Sequence, residues 1–265
     1  MISSLNDIPY SQTPQRALRL DLRIPRAEKR PPLILFIPMG GMRVCEKEGA
    51  PWWPTEHGFA MASIECRVRS EVTAPASIHD CKAAVRWLRA NADEYGFNGN
   101  AIGAWGRSAG GLLASLLATS GEVAALEGEG GHAGVSSKIQ AACDECGAPH
   151  DFSYFARPEI KLRFAPVAEN LRLYLGGAVE EKPDLARLVS PSTYVSRDCP
   201  PVLLIHGDAD DIVPVEETIE FHRALQKAGV DASLRILPGA GHSWDEALTR
   251  DEVISFFNRT LRRNT

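Results

Sequence analysis

No stretch of this 265-residue chain approaches 18 consecutive apolar residues, so nothing in it reads as a membrane span. The opening Met1-Ile-Ser-Ser-Leu-Asn-Asp-Ile-Pro9 lacks a basic stretch leading into an apolar run, so no secretory signal is read there. A cytoplasmic location is expected if Met1 is the natural start; a trimmed secreted chain would read the same. An excess of positive charge is also missing. The 29 Lys and Arg residues face 34 Asp and Glu, a formal net charge of −5, so neither nucleic acid nor an anionic membrane is the expected partner. Cysteine is sparse. Six in the chain (Cys45, Cys66, Cys81, Cys143, Cys146 and Cys199) is not the density of a disulfide scaffold. Cys143-Asp-Glu-Cys146, with His150 nearby, stands alone, and a tetrahedral metal site needs a second pair of ligands. No metal or cofactor is therefore expected. Internal repeats and dividing linkers are absent too, so residues 1–265 are expected to form a single domain.

What is present is short apolar runs alternating with helical periodicity. Residues 18–24 alternate apolar and polar side chains, as a half-buried edge strand does. Residues 33–37, Leu-Ile-Leu-Phe-Ile, are continuously apolar and suit a strand buried on both faces. Further strands are expected at 60–66, 101–105, 139–143, 201–205 and 232–237. A helix is expected from Ser77, read with Asp80 as a variant capping box, through Ile78, Cys81, Val85, Leu88 and Ala92 to before Gly96. Others are expected at 108–119, at 215–228 closed by Gly229, and at 245–261. This strand–helix–strand order predicts an α/β fold: a mostly parallel sheet flanked by helices, with ligand sites beyond the carboxyl ends of the strands. Residues 121–137 and 147–190 read as insertions between core elements.

Trp105-Gly-Arg-Ser-Ala-Gly-Gly111 contains G-x-S-x-G between an expected strand and an expected helix. A nucleophilic serine there must stand exposed on a tight turn, and flanking glycines avoid Cβ clashes. The competing reading, a helix N-cap serine, does not require glycine two residues before and after. A serine hydroxyl needs a base. Downstream, His206-Gly-Asp208-Ala-Asp210-Asp211-Ile-Val-Pro214 follows one buried run, and Gly239-Ala-Gly-His242 follows the next strand. Nucleophile, acid and base thus come in the chain order of a serine-hydrolase triad, with Ser108 first, an aspartate of the turn second and His242 last. His206 is expected to hydrogen-bond locally, His222 to be structural within a helix, and His57, His79, His132 and His150 to carry no chemistry.

On these motifs the chain resembles the α/β-hydrolase superfamily. More narrowly it is similar to the feruloyl-esterase-like and acetyl-esterase-like carbohydrate esterases, near the hormone-sensitive-lipase type. The resemblance covers nearly the whole chain. It includes Arg67 with the helix from Ser77 to Arg89, the elbow at Gly106–Gly111, Leu126–Gly131 with Ser136–Gln140, and the His206 and His242 turns. It implies an eight-stranded-type sheet with short lid segments. It selects Asp210 as the acid, ahead of Asp208 and then Asp211. It also implies an oxyanion hole from the backbone N–H groups of Gly40, Gly41 and Ala109. Where the family usually carries His-Gly-Gly-Gly, this chain has Pro38-Met39-Gly40-Gly41; Pro38 lacks a backbone donor and stiffens the approach. Arg107 occupies a spot that is often acidic and is expected to pair with a nearby carboxylate.

The expected activity is hydrolysis of a small-molecule ester, short-chain or on a carbohydrate or aryl alcohol, through an acyl-enzyme at Ser108. Met42, Trp52, Trp53, Phe152 and Phe155, with Tyr154, are candidates for lining the substrate pocket, with core or lid packing an equal reading. Three alternatives stay open: a serine peptidase, an aryl-formamidase of the same fold, and a non-catalytic binding protein on this scaffold. The oligomeric state is not readable from the chain.

Overall fold

Pairing of the apolar runs builds one eight-stranded sheet in the computed structural model, which describes residues 1–121 and 123–262. Glu122, in the first insertion, lies outside the described residues. The strands are β1 (Ile2–Gln12), β2 (Ala17–Pro25), β3 (Pro32–Ile37), β4 (Met39–Gly40), β5 (Val44–Cys45), β6 (Ala60–Ile64), β7 (Asn98–Arg107), β8 (Ala141–Glu145), β9 (Val202–Gly207) and β10 (Ala232–Leu237). The helices are α1 (Ala76–Ala90), α2 (Ala92–Tyr95), α3 (Ala109–Thr119), α4 (Pro158–Arg163), α5 (Ala165–Leu175), α6 (Pro183–Leu188), α7 (Val215–Lys227) and α8 (Arg250–Leu261). The large sheet runs β1-β2-β6-β3-β7-β8-β9-β10, and β4 pairs with β5 separately. Within the large sheet, among the described residues, only the β1–β2 and β2–β6 pairings are antiparallel, and the rest are parallel. No helix among the described residues is long and apolar enough to cross a membrane.

The pleat explains why the central strands are apolar throughout. Leu33, Leu35 and Ile37 of β3 face the larger core, whereas Ile34 and Phe36 face the smaller one. The larger core takes Ile78, Val85 and Leu88 of α1 and Leu112, Leu113 and Leu116 of α3. The smaller core takes Trp105 together with Val253, Phe256 and Phe257 of α8. Gly103 lets α8 approach, since a Cβ there would run into the Phe257 ring.

The structure corrects several local expectations. β2 is not an edge strand, because β1 pairs along it from Gln12 to Ile2 and takes the edge. The mostly exposed β1 has no clean apolar alternation, which hid it in the sequence. The helix expected from Ser77 begins at Ala76 after an N-cap at Pro75 and has no side-chain cap. Ser77 Oγ instead donates to the Arg67 carbonyl, and Asp80 pairs with the Arg67 guanidinium at 2.7 Å. The last helix starts at Arg250 rather than at 245; a short 3-10 turn, Glu246–Leu248, capped by Asp245, precedes it.

The first insertion wraps α1. Glu127 accepts from Lys82 and Arg86 of that helix, both at 2.7 Å. The second insertion carries α4, α5 and α6.

Candidate active site

Parallel strands end on one edge of a sheet, so the loops after β3, β7, β8, β9 and β10 meet there. Ser108 stands between β7 and α3 with φ 56° and ψ −125°, a conformation that costs a non-glycine residue about 1–3 kcal/mol. The surroundings over-determine it. A Cβ on Gly106 would overlap the Gly110 carbonyl, and one on Gly110 would overlap the Ile37 carbonyl. The Ser108 N–H donates to Glu145 O at 2.8 Å, which ties the turn to β8. The Ser108 side chain makes no cap bond to α3, so the N-cap reading does not describe it.

His242 Nε2 lies 2.9 Å from Ser108 Oγ, across 134 positions of chain. Its Nδ1 lies 2.8 Å from Asp210 Oδ2. A carboxylate can only accept, so Nδ1 carries the proton and Nε2 is free to accept from the serine hydroxyl. Asp210 Oδ1 accepts the backbone N–H groups of Ile212 and Val213, each at 2.9 Å. Burial alone would raise the Asp210 carboxyl, but donors from His206, His242 and the Val213 N–H outweigh it and hold it well below the usual range. Asp208 points elsewhere. Its Oδ1 accepts the Gly239 N–H at 2.6 Å and steadies the loop that carries His242. Asp211 is exposed. A Cβ on Gly207 would overlap Ala240 O, so the acid strand and the histidine loop pack without a gap.

Of the candidate oxyanion donors, Ala109 directly follows Ser108, and Gly40 and Gly41 lie in the segment after β3. Gly41 has φ +55° and Met42 φ +56°, a tight turn closed by the Arg43 N–H on Gly40 O at 2.9 Å. Among the described residues, the Gly41 and Ala109 N–H groups donate to no protein acceptor. Ala109 opens α3, where backbone N–H groups are unpaired by construction.

Arg107 pairs with Glu145 at 2.8 Å, as expected. It also lies 3.8 Å from Glu246 and 5.4 Å from the Trp244 ring centroid, both beyond His242. Burial raises the Glu145 carboxyl despite the opposing Arg107 charge. Arg107 thus links the serine turn to the histidine loop. Trp53 Nε1 donates to Glu246 at 3.0 Å on the same side.

The aromatic pocket candidates are divided between the cores. Met42, Phe152, Tyr154 and Phe155 are buried in the larger one and Trp53 in the smaller, while Trp52 is half-buried under Arg23. Cys143 and Cys146 are both free thiols. Cys143 faces the smaller core, whereas Cys146 sits against the histidine and donates to His242 O at 3.4 Å. Ligand-type atoms of Cys146, Asp210 and His242 lie within 4.8 Å of one another. The arrangement does not fit a metal: Asp210 and His242 are committed to each other, and burial pushes the Cys146 thiol up, away from the thiolate a metal needs.

Sequence reading did not foresee Cys146 at the site, whereas His206, expected to hydrogen-bond locally, does so on Asp210 itself. His206 Nε2 lies 3.1 Å from Asp210 Oδ2. The i, i+4 spacing of these two residues across a turn was the available signal.

A profile of the BD-FAE family matches residues 20–225. The esterase LipC of Mycobacterium tuberculosis is 30% identical over 243 residues, which cover 89% of this chain and 59% of the relative. The esterase LipQ of the same organism is 29% identical, over 92% of this chain and 58% of its own. The chain thus spans less than two thirds of these relatives. Among solved structures, a truncated carbohydrate esterase from gut microbiota superposes with a TM-score of 0.83 at 25% identity, covering 98% of this chain and 97% of that one. Thermogutta terrifontis esterase 2 superposes with a TM-score of 0.78 at 26% identity, covering 97% and 92%.

Proposed function

The chain belongs to the BD-FAE family, and from that premise we propose that it is a serine carboxylesterase acting on short-chain, carbohydrate or aryl esters through an acyl-enzyme. The observation that carries this reading is the unbroken relay from Ser108 Oγ to His242 at 2.9 Å and on to Asp210 at 2.8 Å. Ser108 attacks the ester carbonyl while His242 Nε2 takes its proton and then returns it to the departing alkoxide. Asp210 holds the imidazole and stabilises its charged form. The Gly41 and Ala109 N–H groups, with Gly40 completing the loop, receive the oxyanion; such donors are worth about 10²–10³-fold each in rate. Water then repeats the sequence on the acyl-enzyme. The esterase names of the relatives support an ester over a peptide or formamide. The carbohydrate esterase among the structural neighbours supports a sugar alcohol as leaving group.

A nitrophenyl ester series of increasing acyl length, run beside acetylated and feruloylated sugars, defines the substrate. Ser108→Ala is expected to lower turnover by at least about 10⁴-fold with an unchanged circular dichroism spectrum. Substantial turnover by that variant would sink the assignment.

A further inference from the structure

Asp210 carries four donors, and they are divided evenly. Oδ1 takes the two backbone N–H groups, whereas Oδ2 takes two imidazoles, His242 Nδ1 at 2.8 Å and His206 Nε2 at 3.1 Å. The His206 ring is fully buried and has no freedom to leave. Its Nε2 also lies 3.3 Å from the Val213 carbonyl. Both neighbours of Nε2 are acceptors only, so Nε2 carries a proton. At the opposite corner Nδ1 meets Thr218 Oγ1 of α7 at 2.8 Å, a hydroxyl that can donate to it. Thr218 therefore fixes the ring plane, and the ring aims one N–H at the oxygen that receives the His242 proton.

We propose that His206 is a positioning residue of the relay: it anchors the Asp210 carboxylate and draws off part of the charge that Oδ2 offers to His242. The inference rests on the esterase reading above. Two backbone donors leave a carboxylate free to rock about Oδ1. The His206 N–H supplies the third fixed point and sets where Oδ2 sits beneath His242. It also takes a share of the Oδ2 electron density, which weakens the pull on His242 Nδ1–H. The other titratable neighbours are few. Cys146, after β8, presents a thiol; Asp208 and Asp211 share the turn but are exposed; Glu217 of α7 is turned to His150.

The test compares the intact wild-type chain with His206→Phe, His206→Gln and Thr218→Val. Each is followed by nitrophenyl acetate kinetics and by fluorophosphonate labelling of Ser108 across pH. His206→Phe is expected to lower kcat by roughly 10–100-fold, the range for a misplaced catalytic group, with KM within about twofold. Labelling should slow in parallel. The acid limb of the pH profile should move to higher pH, because Oδ2 then serves His242 alone. His206→Gln, which keeps an N–H donor, should recover most of the rate. If His206→Phe does not fold, the near-isosteric Thr218→Val, which frees the ring without removing it, should still lower kcat several-fold and broaden the acid limb. Folded variants with wild-type kcat and an unmoved acid limb would overturn the proposal. So would a loss confined to KM. A wild-type chain that fluorophosphonate fails to label would instead overturn the esterase reading, and this inference with it.

Discussion

His150 is sealed between two carboxylates, Asp144 and Glu217, each 2.9 Å from a ring nitrogen, and its ring stacks on Phe221 at 4.2 Å. Burial alone would keep it neutral, but the charges of Glu217 and Asp144 outweigh burial and push it up to about 9. The imidazole is therefore charged at neutral pH. Its folded value lies above the ordinary value of about 6.5, so its contribution to stability is complete below that pH. It is lost as pH rises through about 9. Thermal melts are expected to show the midpoint falling between about pH 6.5 and 9.5, with a weaker fall in His150→Gln. An equal pH dependence in both proteins would contradict this. Nothing in the sequence neighbourhood of His150 announced its charge. Glu217 is 67 positions away, and only folding brings the two together. Ser108 and His242 were legible as candidates because each followed a strand on a glycine-rich turn. The choice among Asp208, Asp210 and Asp211 came from resemblance alone; in the structure Asp210 faces His242, Asp208 holds Gly239, and Asp211 is exposed.

At the scale of elements, Glu127 ties the loop at 121–137 to two cations of α1. Glu127 Oε1 accepts from Lys82 and Ser137, and Oε2 accepts from Arg86. The Arg86 guanidinium also donates to the carbonyls of Glu127, Gly130 and Gly131, so the Gly-rich stretch wraps around a buried cation. Lys82 is fully buried and, beside the Ser120 carbonyl, would lose its charged partner if Glu127 were neutral. Glu127→Gln is expected to cost about 2–3 kcal/mol; the figure is discounted because the Glu127 side chain is partly exposed. The transition midpoint should fall by roughly 5–10 °C, and limited proteolysis should cut within 121–137 sooner. An unchanged midpoint would show that the loop is held elsewhere. Local periodicity placed α3, α7 and the parallel strands well. It failed at β1, whose exposed side chains carry no burial pattern, and at Ser77 and Asp80, whose spacing resembles a cap but whose side chains serve Arg67.

At the scale of the whole molecule, the sheet divides two cores, and Trp105 anchors the smaller. Its ring packs edge-on against Phe36 at 5.1 Å and Trp53 at 5.3 Å. Trp105→Ala is expected to destabilise the protein by about 3–5 kcal/mol, read as a lower urea midpoint with an unchanged slope. Because Trp105 lies three residues before Ser108, on the strand that ends at the serine turn, this variant should also lower the rate of fluorophosphonate labelling. A change below about 1 kcal/mol would mean that the smaller core contributes little. The sequence by itself determined the alternation of strand and helix, since periodicity of apolar side chains is a local property. It also determined the serine turn, since Gly106 and Gly110 flank Ser108 at the spacing a tight strand-to-helix turn requires. Only the tertiary structure decided which carboxylate the histidine meets, that Cys146 and a second imidazole close on the same site, and that Arg107 joins the serine turn to the histidine loop. Apart from His206, which lies four residues from Asp210, those are contacts between residues far apart in the chain, made where six parallel strands end on one edge, and no local pattern encodes the direction of a side chain there.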